Sequence, residues 1–158
     1  MENALAARLG AALRARGWRL AVAESCTGGL VGHRVSEVPG ASDYFAGGVI
    51  AYANEVKQAL LGVRAQTLAV HGAVSEQAAL EMARGARAAC AAEVGLAVTG
   101  IAGPAGGGPD KPLGLTWIAV STPQGERTLR RVWPGDRSQV KAQSAQAALA
   151  LALELAQA

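Results

Sequence analysis

The chain has 158 residues, of which 51% are hydrophobic and only 4% aromatic, and its formal net charge is +3. This length suits one domain whose core needs no disulfide, and the hydrophobic fraction excludes a disordered chain. The basic residues form no run and few aromatics accompany them, which argues against a nucleic-acid partner. A single small anion matches this charge better than a polyanion does.

The sequence also predicts a cytoplasmic protein. Cys26 and Cys90 lie in no CxxC motif and form no disulfide framework, so a reducing compartment is expected. The amino terminus predicts an amphipathic helix and lacks the pattern of a signal peptide. No uncharged apolar stretch is long enough to span a bilayer, so no membrane contact is expected.

The first half of the chain alternates predicted helices and strands. Leu5, Leu9 and Leu13 recur every four residues, as on one face of a helix. The predicted elements are a helix ending at Gly17, a strand at residues 20–23, a helix at residues 30–38 before the Pro39-Gly40 turn, a strand at residues 48–53, and a helix from its cap Asn54 to Leu61.

The second half begins with a short helical or irregular piece at residues 64–71. It continues with a helix from its cap Ser75 to about Ala91, a strand at residues 95–99, a glycine-rich loop at residues 100–109 and a hairpin of residues 115–121 and 128–133. The last predicted element is a helix capped by Asp136. Its apolar stripe consists of Val140, Ser144, Ala147, Leu151 and Leu155. Alternating helices and strands followed by a hairpin predict a three-layer α/β/α sandwich with a mixed sheet, in a single domain.

Ser25 is the first candidate for chemistry. It follows a predicted buried strand and precedes Gly28, Gly29 and a helix. Such a turn exposes a nucleophile, and the helix N-terminus offers N–H groups to an oxyanion. In the alternative interpretation Ser25 or Thr27 only caps the helix. Cys26 remains a second candidate nucleophile, although no activating partner is evident for it.

Lys57 is the candidate base. The chain has only three lysines, Lys57, Lys111 and Lys141, among many arginines. A lysine can lose its proton and act as a base, whereas an arginine cannot in practice. Tyr52 at the end of the second predicted strand can converge with Lys57 on one site. The alternative is a solvated lysine and a half-buried tyrosine.

The glycine-rich loop after Thr99 is the third candidate element, because its N–H groups can bind an anion. It matches neither a P-loop nor a Rossmann fingerprint, and a simple surface loop is the alternative. The only histidines, His33 and His71, lie at no metal-ligand spacing, so no metal site is expected. His71 is expected at a helix C-cap, and a GxSxG motif is absent.

Six ordered motifs carry a resemblance to a known family: AESCTGG at residues 23–29, YANEVK at 52–57, HGAVS at 71–75, TGIAGP at 99–104, KPLG at 111–114 and GDR at 135–137. With them the chain resembles the CinA C-terminal family, also known as PncC, the nicotinamide-nucleotide amidohydrolases. The resemblance covers nearly the whole chain. The amino-terminal domain of full-length CinA proteins has no counterpart here, so the standalone form is expected.

This resemblance implies deamidation of nicotinamide mononucleotide to nicotinate mononucleotide and ammonia, in pyridine-nucleotide salvage, by a homodimer or larger homo-oligomer without cofactor or metal. Ser25, Tyr52 and Lys57 fall on the family's catalytic positions. Ala53 departs from the family, in which a serine is common at this position. The expected substrate-binding residues are Ser42, Thr99 and Arg137 on site-lining positions, with Thr27, Gly28, Gly29, Gly100, Ala102 and Gly103 beside them.

In the expected mechanism neutral Lys57 takes the Ser25 proton, directly or through the Tyr52 hydroxyl, and Ser25 attacks the carboxamide. N–H groups around residues 27–29 stabilise the oxyanion, and water then hydrolyses the acyl-enzyme. Arg137 or the glycine-rich loop is expected to bind the phosphate. A nucleotide-binding or regulatory module with little turnover stays open as the alternative.

Overall fold

The computed structural model describes residues 2–158, which form five strands, six α-helices and one short 3-10 helix. The strands are β1 (Leu20–Glu24), β2 (Phe45–Ile50), β3 (Val94–Gly100), β4 (Leu115–Thr122) and β5 (Gly125–Val132). The helices are α1 (Glu2–Arg16), α2 (Leu30–Ser36), α3 (Asn54–Leu61), α4 (Ala65–His71), α5 (Glu76–Cys90) and α6 (Arg137–Gln157), with the 3-10 helix at Ala41–Asp43.

The strands form one mixed sheet in the order β2-β1-β3-β4-β5. β1 pairs in parallel with β2 and β3, whereas β4 pairs antiparallel with β3 and β5. Glu24 at the end of β1 is level with Ile50 of β2 and Val98 of β3. The loops after all three parallel strands therefore meet at one edge of the sheet, where open α/β sheets bind their ligands.

One face of the sheet carries large aliphatic side chains. Because strand side chains alternate between faces, Val22, Leu96 and Ile118 point to the same side, where α1, α2 and α6 cover them. All three are 4% exposed or less. This layer contains the Leu9 and Leu13 stripe of α1 that the sequence predicted.

The other face carries small side chains and packs on α5, with α3 and α4 outside it. Ala21, Ala23, Ala97 and Ala119 are all fully buried there. A side chain at Gly95 would overlap the carbonyl oxygen of Ala83 on α5, so glycine is required at this close approach. Helices thus cover both faces, and the predicted three-layer α/β/α sandwich with a mixed sheet is confirmed.

Two predicted helix caps are confirmed. The Ser75 hydroxyl accepts a hydrogen bond from the Ala78 N–H at 3.2 Å at the start of α5. Asp136 accepts one from the Gln139 N–H at 2.9 Å, and the Gln139 side chain accepts one from the Asp136 N–H in return. This capping box fixes the start of α6 and so the direction of its first turns.

Several predicted boundaries are wrong. β2 lies at Phe45–Ile50 and not at residues 48–53, because the apolar run has no period and only pairing with β1 sets its position. α3 accordingly has Ala53 as its N-cap, without a side-chain cap bond, and Asn54 as its first residue. The predicted Asn54 cap is therefore not formed.

The other boundary errors are smaller. α2 ends at Ser36, two residues before the predicted end. The second hairpin strand begins at Gly125 instead of Thr128, because Thr122 pairs with Gly125 across a two-residue turn. His71 is the last residue of α4, and Gly72 occupies the C-cap.

α6 is the longest helix, with 21 residues. Like the other helices in residues 2–158, it is not long and apolar enough to cross a bilayer. Its buried residues, among them Val140, Leu149 and Leu153, pack in the layer beneath the large aliphatic face of the sheet.

Candidate active site

The turn after β1 places Ser25 at the carboxyl edge of the sheet. The Ser25 N–H donates to the Val98 carbonyl of β3 at 2.9 Å, and the Gly28 N–H donates to the Ser25 carbonyl at 3.1 Å. Gly28 and Gly29 have φ of +60° and +108°, a left-handed conformation that favours glycine. The Gly28-Gly29 pair therefore belongs to the turn that holds Ser25, and the side chain of Ser25 is buried.

Lys57 contacts Ser25 directly. Its Nζ lies 3.1 Å from Ser25 Oγ and donates to the Tyr52 carbonyl at 3.0 Å. Lys57 is 1% exposed, so the interpretation of it as a solvated surface lysine is wrong. Burial lowers the pKa of Lys57, and the nearby carboxylate of Glu55 only partly opposes this. The result is an amine that loses its proton readily and lies within reach of a serine hydroxyl.

Tyr52 is 60% exposed, and its hydroxyl is hydrogen-bonded to Arg137 and not to Ser25 or Lys57. Tyr52 Oη accepts a hydrogen bond from Arg137 Nη2 at 2.8 Å, and Arg137 Nη1 donates to the Gly103 carbonyl at 2.6 Å. Arg137 thereby links the segment after β2, the glycine-rich loop and α6. Lys57 Nζ contacts Ser25 Oγ directly, so the Tyr52 hydroxyl does not relay a proton between Lys57 and Ser25 in this structure.

Glu24 is a site residue that the sequence reasoning missed. It is 1% exposed, and its carboxylate accepts four hydrogen bonds, from Thr27 Oγ1 at 2.6 Å and from the N–H groups of Gly29, Val31 and Gly32 at 3.1, 2.9 and 2.9 Å. A carboxylate at a helix N-terminus satisfies N–H groups that otherwise lack partners. Its signal was a glutamate that ends an otherwise apolar strand immediately before the glycine turn.

The oxyanion-binding expectation therefore needs a correction. The N–H groups of Gly28 and Gly29 already donate to Ser25 and Glu24. Within residues 2–158, the Thr27 N–H donates to no other group and is the free donor of this turn, whereas the Cys26 N–H is engaged by the Cys26 thiol.

Cys26 is not suited to act as the nucleophile. Its side chain is 5% exposed, and burial raises the pKa of the thiol to about 11. At neutral pH the sulfur therefore carries its proton, and a thiol is a much weaker nucleophile than a thiolate.

The end of β3 and the following loop form the other wall of this edge. The Thr99 hydroxyl donates to the Ala73 carbonyl at 2.8 Å, which ties the segment between α4 and α5 to the sheet. A side chain at Gly100 would lie 3.1 Å from Cys26 Sγ, so the loop packs on the Ser25 turn. Ala102 is buried beside it, and Gly103 bonds to Arg137. Thr99, Gly100, Ala102 and Gly103 thus lie at the predicted edge.

Ser42 is not brought to this edge. It is exposed in the 3-10 helix that precedes β2, and β2 runs parallel to β1. A strand of six residues spans about 17–20 Å, which separates Ser42 from the turn at Ser25. Within one chain, no contact supports the predicted binding role of Ser42.

The two histidines lie apart from Ser25. His33 is exposed on α2, and the His71 carbonyl accepts a hydrogen bond from Lys111 Nζ at 2.6 Å. In the described part of the chain, no three His, Cys, Asp or Glu side chains come together as metal ligands.

A groove lies along α6. This groove has a volume of about 560 Å³ and is lined by Arg34, Trp133, Gln143, Gln146 and alanines of α6. Ser25 and Lys57 do not line it, and it holds no nucleophile. The chemistry therefore points to the carboxyl edge of the sheet.

These features define an α/β protein with a buried serine–lysine pair at the carboxyl edge of a mixed sheet. A family model described as the CinA C-terminal domain matches residues 2–156, and the chain belongs to this family. It is 52% identical over 141 residues to a CinA-like protein of Anaeromyxobacter dehalogenans, covering 89% of this chain and 35% of that protein. A CinA-like protein of Acidobacterium capsulatum is 51% identical over 137 residues, which cover 87% of this chain and 33% of that protein. The chain thus spans about a third of the length of these curated relatives.

Solved structures agree with this assignment. A competence-damaged protein (CinA) superfamily protein from Klebsiella pneumoniae superposes with a TM-score of 0.95 at 38% identity, covering 99% of this chain and 98% of that one. The competence/damage inducible protein CihA from Agrobacterium tumefaciens superposes with a TM-score of 0.94 at 36% identity, covering 98% of this chain and 94% of that one.

Proposed function

We propose that this chain is an amidohydrolase that converts nicotinamide mononucleotide to nicotinate mononucleotide and ammonia, with Ser25 as nucleophile and Lys57 as general base. The observation that carries the proposal is the 3.1 Å contact between Lys57 Nζ and Ser25 Oγ, made by a lysine that is 1% exposed. Membership of the CinA family supports this class of activity, and the nucleotide substrate follows from the motif resemblance.

The reaction follows from the geometry. Neutral Lys57 takes the hydroxyl proton as Ser25 Oγ attacks the carboxamide carbon, and the carbonyl oxygen becomes an oxyanion. The free N–H group of Thr27 is the donor nearest in sequence for that oxyanion. Lys57 returns the proton to the leaving nitrogen, so ammonia departs and an ester to Ser25 remains. Lys57 then deprotonates a water that hydrolyses this ester, which restores Ser25 and releases the acid.

Glu24 and Arg137 support this chemistry without taking part in it. Glu24 holds the turn by four hydrogen bonds, which keeps the Ser25 hydroxyl at Lys57. Arg137 holds Tyr52 against the glycine-rich loop at the outer side of the site. Both arrangements reduce the freedom of groups that must be in place for the reaction.

A binding or regulatory module without turnover is the second candidate. Such a module has no need of a buried lysine, and burying an ammonium without a paired carboxylate is costly. The lowered pKa of Lys57 is the property that a general base at neutral pH requires. The burial of Lys57 against Ser25 therefore favours catalysis.

Purified protein incubated with nicotinamide mononucleotide is expected to release ammonia and nicotinate mononucleotide in equal amounts. The proposed steps use only side chains, N–H groups and water, so a chelator should leave the rate unchanged. Ammonia is measured enzymatically and the nucleotides by chromatography, with and without the chelator. Tight binding without ammonia release would support the regulatory module, and loss of activity that added metal restores would overturn the metal-free mechanism.

Tyr52→Phe is expected to lower kcat/KM less than Arg137→Met does, because both variants lose the charge-assisted hydrogen bond between these residues and Arg137→Met also loses the bond to the Gly103 carbonyl. Such a bond contributes about 1.5–3 kcal/mol, which corresponds to roughly 10- to 150-fold. The double variant should be little worse than Arg137→Met alone, which a double-mutant cycle measures.

Two results would contradict this coupling. Independent effects that multiply in the double variant would give Tyr52 and Arg137 separate roles. A loss confined to kcat in Tyr52→Phe, on the order of 10²–10⁴-fold, would restore the Tyr52 proton relay.

A further inference from the structure

Lys141 approaches the Ser25 turn from the side opposite Lys57. It lies one helical turn after Arg137 on α6, and its Nζ is 3.9 Å from the position that a Cβ atom on Gly28 would occupy. Lys57 belongs to α3, in the other helix layer. The turn that carries Ser25 is therefore flanked by an amine from each layer.

The ammonium of Lys141 has no partner among the residues that the structure describes. Within residues 2–158 it makes no hydrogen bond and no ion pair, although it is only partly exposed. The other two lysines are engaged, Lys57 with Ser25 and Lys111 with the His71 carbonyl. A partly buried ammonium without an acceptor loses hydration and gains nothing in return, unless a ligand supplies the acceptor.

Gly28 leaves space at the Lys141 ammonium. A side chain at this position would come into contact with Nζ, whereas glycine leaves the backbone of the turn open to a ligand. Ser25 and Gly28 are the first and last residues of a β-turn, so their Cα atoms lie within about 7 Å of each other. One nucleotide-sized molecule can thus place a carboxamide at Ser25 and an anionic group at Lys141.

Arg137 is less available for the same task. Its two terminal nitrogens already donate to the Gly103 carbonyl and to Tyr52 Oη. Three of its five N–H groups donate to none of the described residues, but turning the guanidinium to meet a phosphate elsewhere would break both bonds. The unengaged Lys141 can instead bind phosphate oxygens as a point charge without such a loss.

We propose that Lys141, beside Gly28, binds the phosphate of a phosphorylated carboxamide substrate and so distinguishes the nucleotide from its nucleoside. This assignment deepens the proposed function and rests on it for the identity of the reaction. It places the phosphate on the α6 side of the Ser25 turn, and it leaves Arg137 as a residue that positions Tyr52.

Steady-state kinetics on nicotinamide mononucleotide and nicotinamide riboside test the proposal. Lys141→Met should raise KM for the mononucleotide by roughly 10- to 100-fold, the usual effect of losing a charge-assisted bond, with kcat little changed. Turnover of the riboside should stay the same, and Lys141→Arg should recover most of the affinity. Arg8→Met, which removes an exposed arginine on α1, is the matched control for net charge and should match the wild type.

A binding measurement separates this proposal from the proposed function. Calorimetry with ribose 5-phosphate and with inorganic phosphate uses Ser25→Ala protein, in which no reaction can occur. Binding that disappears in Ser25→Ala/Lys141→Met supports the phosphate site even if no amidase activity is found. Binding that survives this change, or that disappears with Arg137→Met instead, overturns the assignment of Lys141. An equal KM increase for mononucleotide and riboside overturns it as well.

Discussion

Ser25→Ala is expected to abolish ammonia release, with a loss of at least about 10⁴-fold in kcat, as for other enzymes that lose their nucleophile. Both covalent steps of the proposed reaction need the hydroxyl oxygen, and the buried thiol of Cys26, with a pKa raised to about 11, cannot replace it. The fold should persist, because the N–H of residue 25 still donates to Val98. The measurements are single-turnover ammonia release and thermal unfolding of the variant.

The matched control is Ser36→Ala. Ser36 Oγ is exposed and donates only to the His33 carbonyl at the end of α2, so activity should be unchanged. Hydroxylamine added to the wild type should intercept the ester to Ser25 and give the hydroxamate of the substrate. Activity near that of the wild type in Ser25→Ala, or no hydroxamate in the wild type, would exclude Ser25 as the nucleophile.

Lys57→Arg and Lys57→Met are expected to cost nearly the same, roughly 10²–10⁴-fold in kcat, the range for loss of a proton-transfer group. Both variants lose the base, since a guanidinium stays protonated and a thioether accepts no proton usefully. Rate measurements on both variants test this, with Lys111→Arg as the control because it keeps a donor for the His71 carbonyl. High activity in Lys57→Arg would show that position 57 supplies only a fixed charge.

The lowered pKa of Lys57 also predicts how activity and stability depend on pH. kcat/KM should rise as pH passes the lowered pKa, because only the neutral amine accepts the Ser25 proton. The unfolded chain titrates near the ordinary value of 10.5 and so binds more protons between the two values. In the pH window between the lowered pKa of the folded protein and the ordinary pKa of the unfolded chain, the free energy of unfolding therefore increases with pH. At pH values below the lowered pKa, the buried ammonium destabilises the fold by a constant amount.

Lys57→Met removes this contribution. Urea unfolding of wild type and Lys57→Met at a series of pH values should therefore show their difference in unfolding free energy changing across that window and constant below it. An identical pH dependence in both proteins would mean that Lys57 titrates alike in the folded and unfolded states, and burial would then not tune it.

The sequence by itself determined the class of fold and the order of its elements. The stripe of Leu5, Leu9 and Leu13 and the caps Ser75 and Asp136 are signals between near neighbours, so they survive in any packing. Helices and strands in alternation, followed by a hairpin, then leave few architectures open besides the three-layer sandwich.

The sequence also determined which residues have the right chemistry, but not their contacts. A serine at a strand–turn–helix junction and a lysine in a chain rich in arginine are visible as residue types. Nothing local shows that Lys57 is buried or that it reaches Ser25, which is 32 residues away. The predicted Tyr52 relay was a hypothesis of this kind, and its hydroxyl bonds instead to Arg137, 85 residues further along the chain.

Only the tertiary structure decided the position of β2, the role of Glu24 and the approach of Lys141. The apolar run around β2 has no period of its own, so its pairing with β1 sets where the strand ends and where α3 begins. Glu24 accepts hydrogen bonds from N–H groups of α2, and these N–H groups point to its carboxylate only once α2 has formed beside β1. Lys141 meets Gly28 because α6 packs against the opposite face of the sheet from α3. Burial and hydrogen bonding between distant segments depend on how the layers pack, whereas caps and periodicity depend on residues a few positions apart.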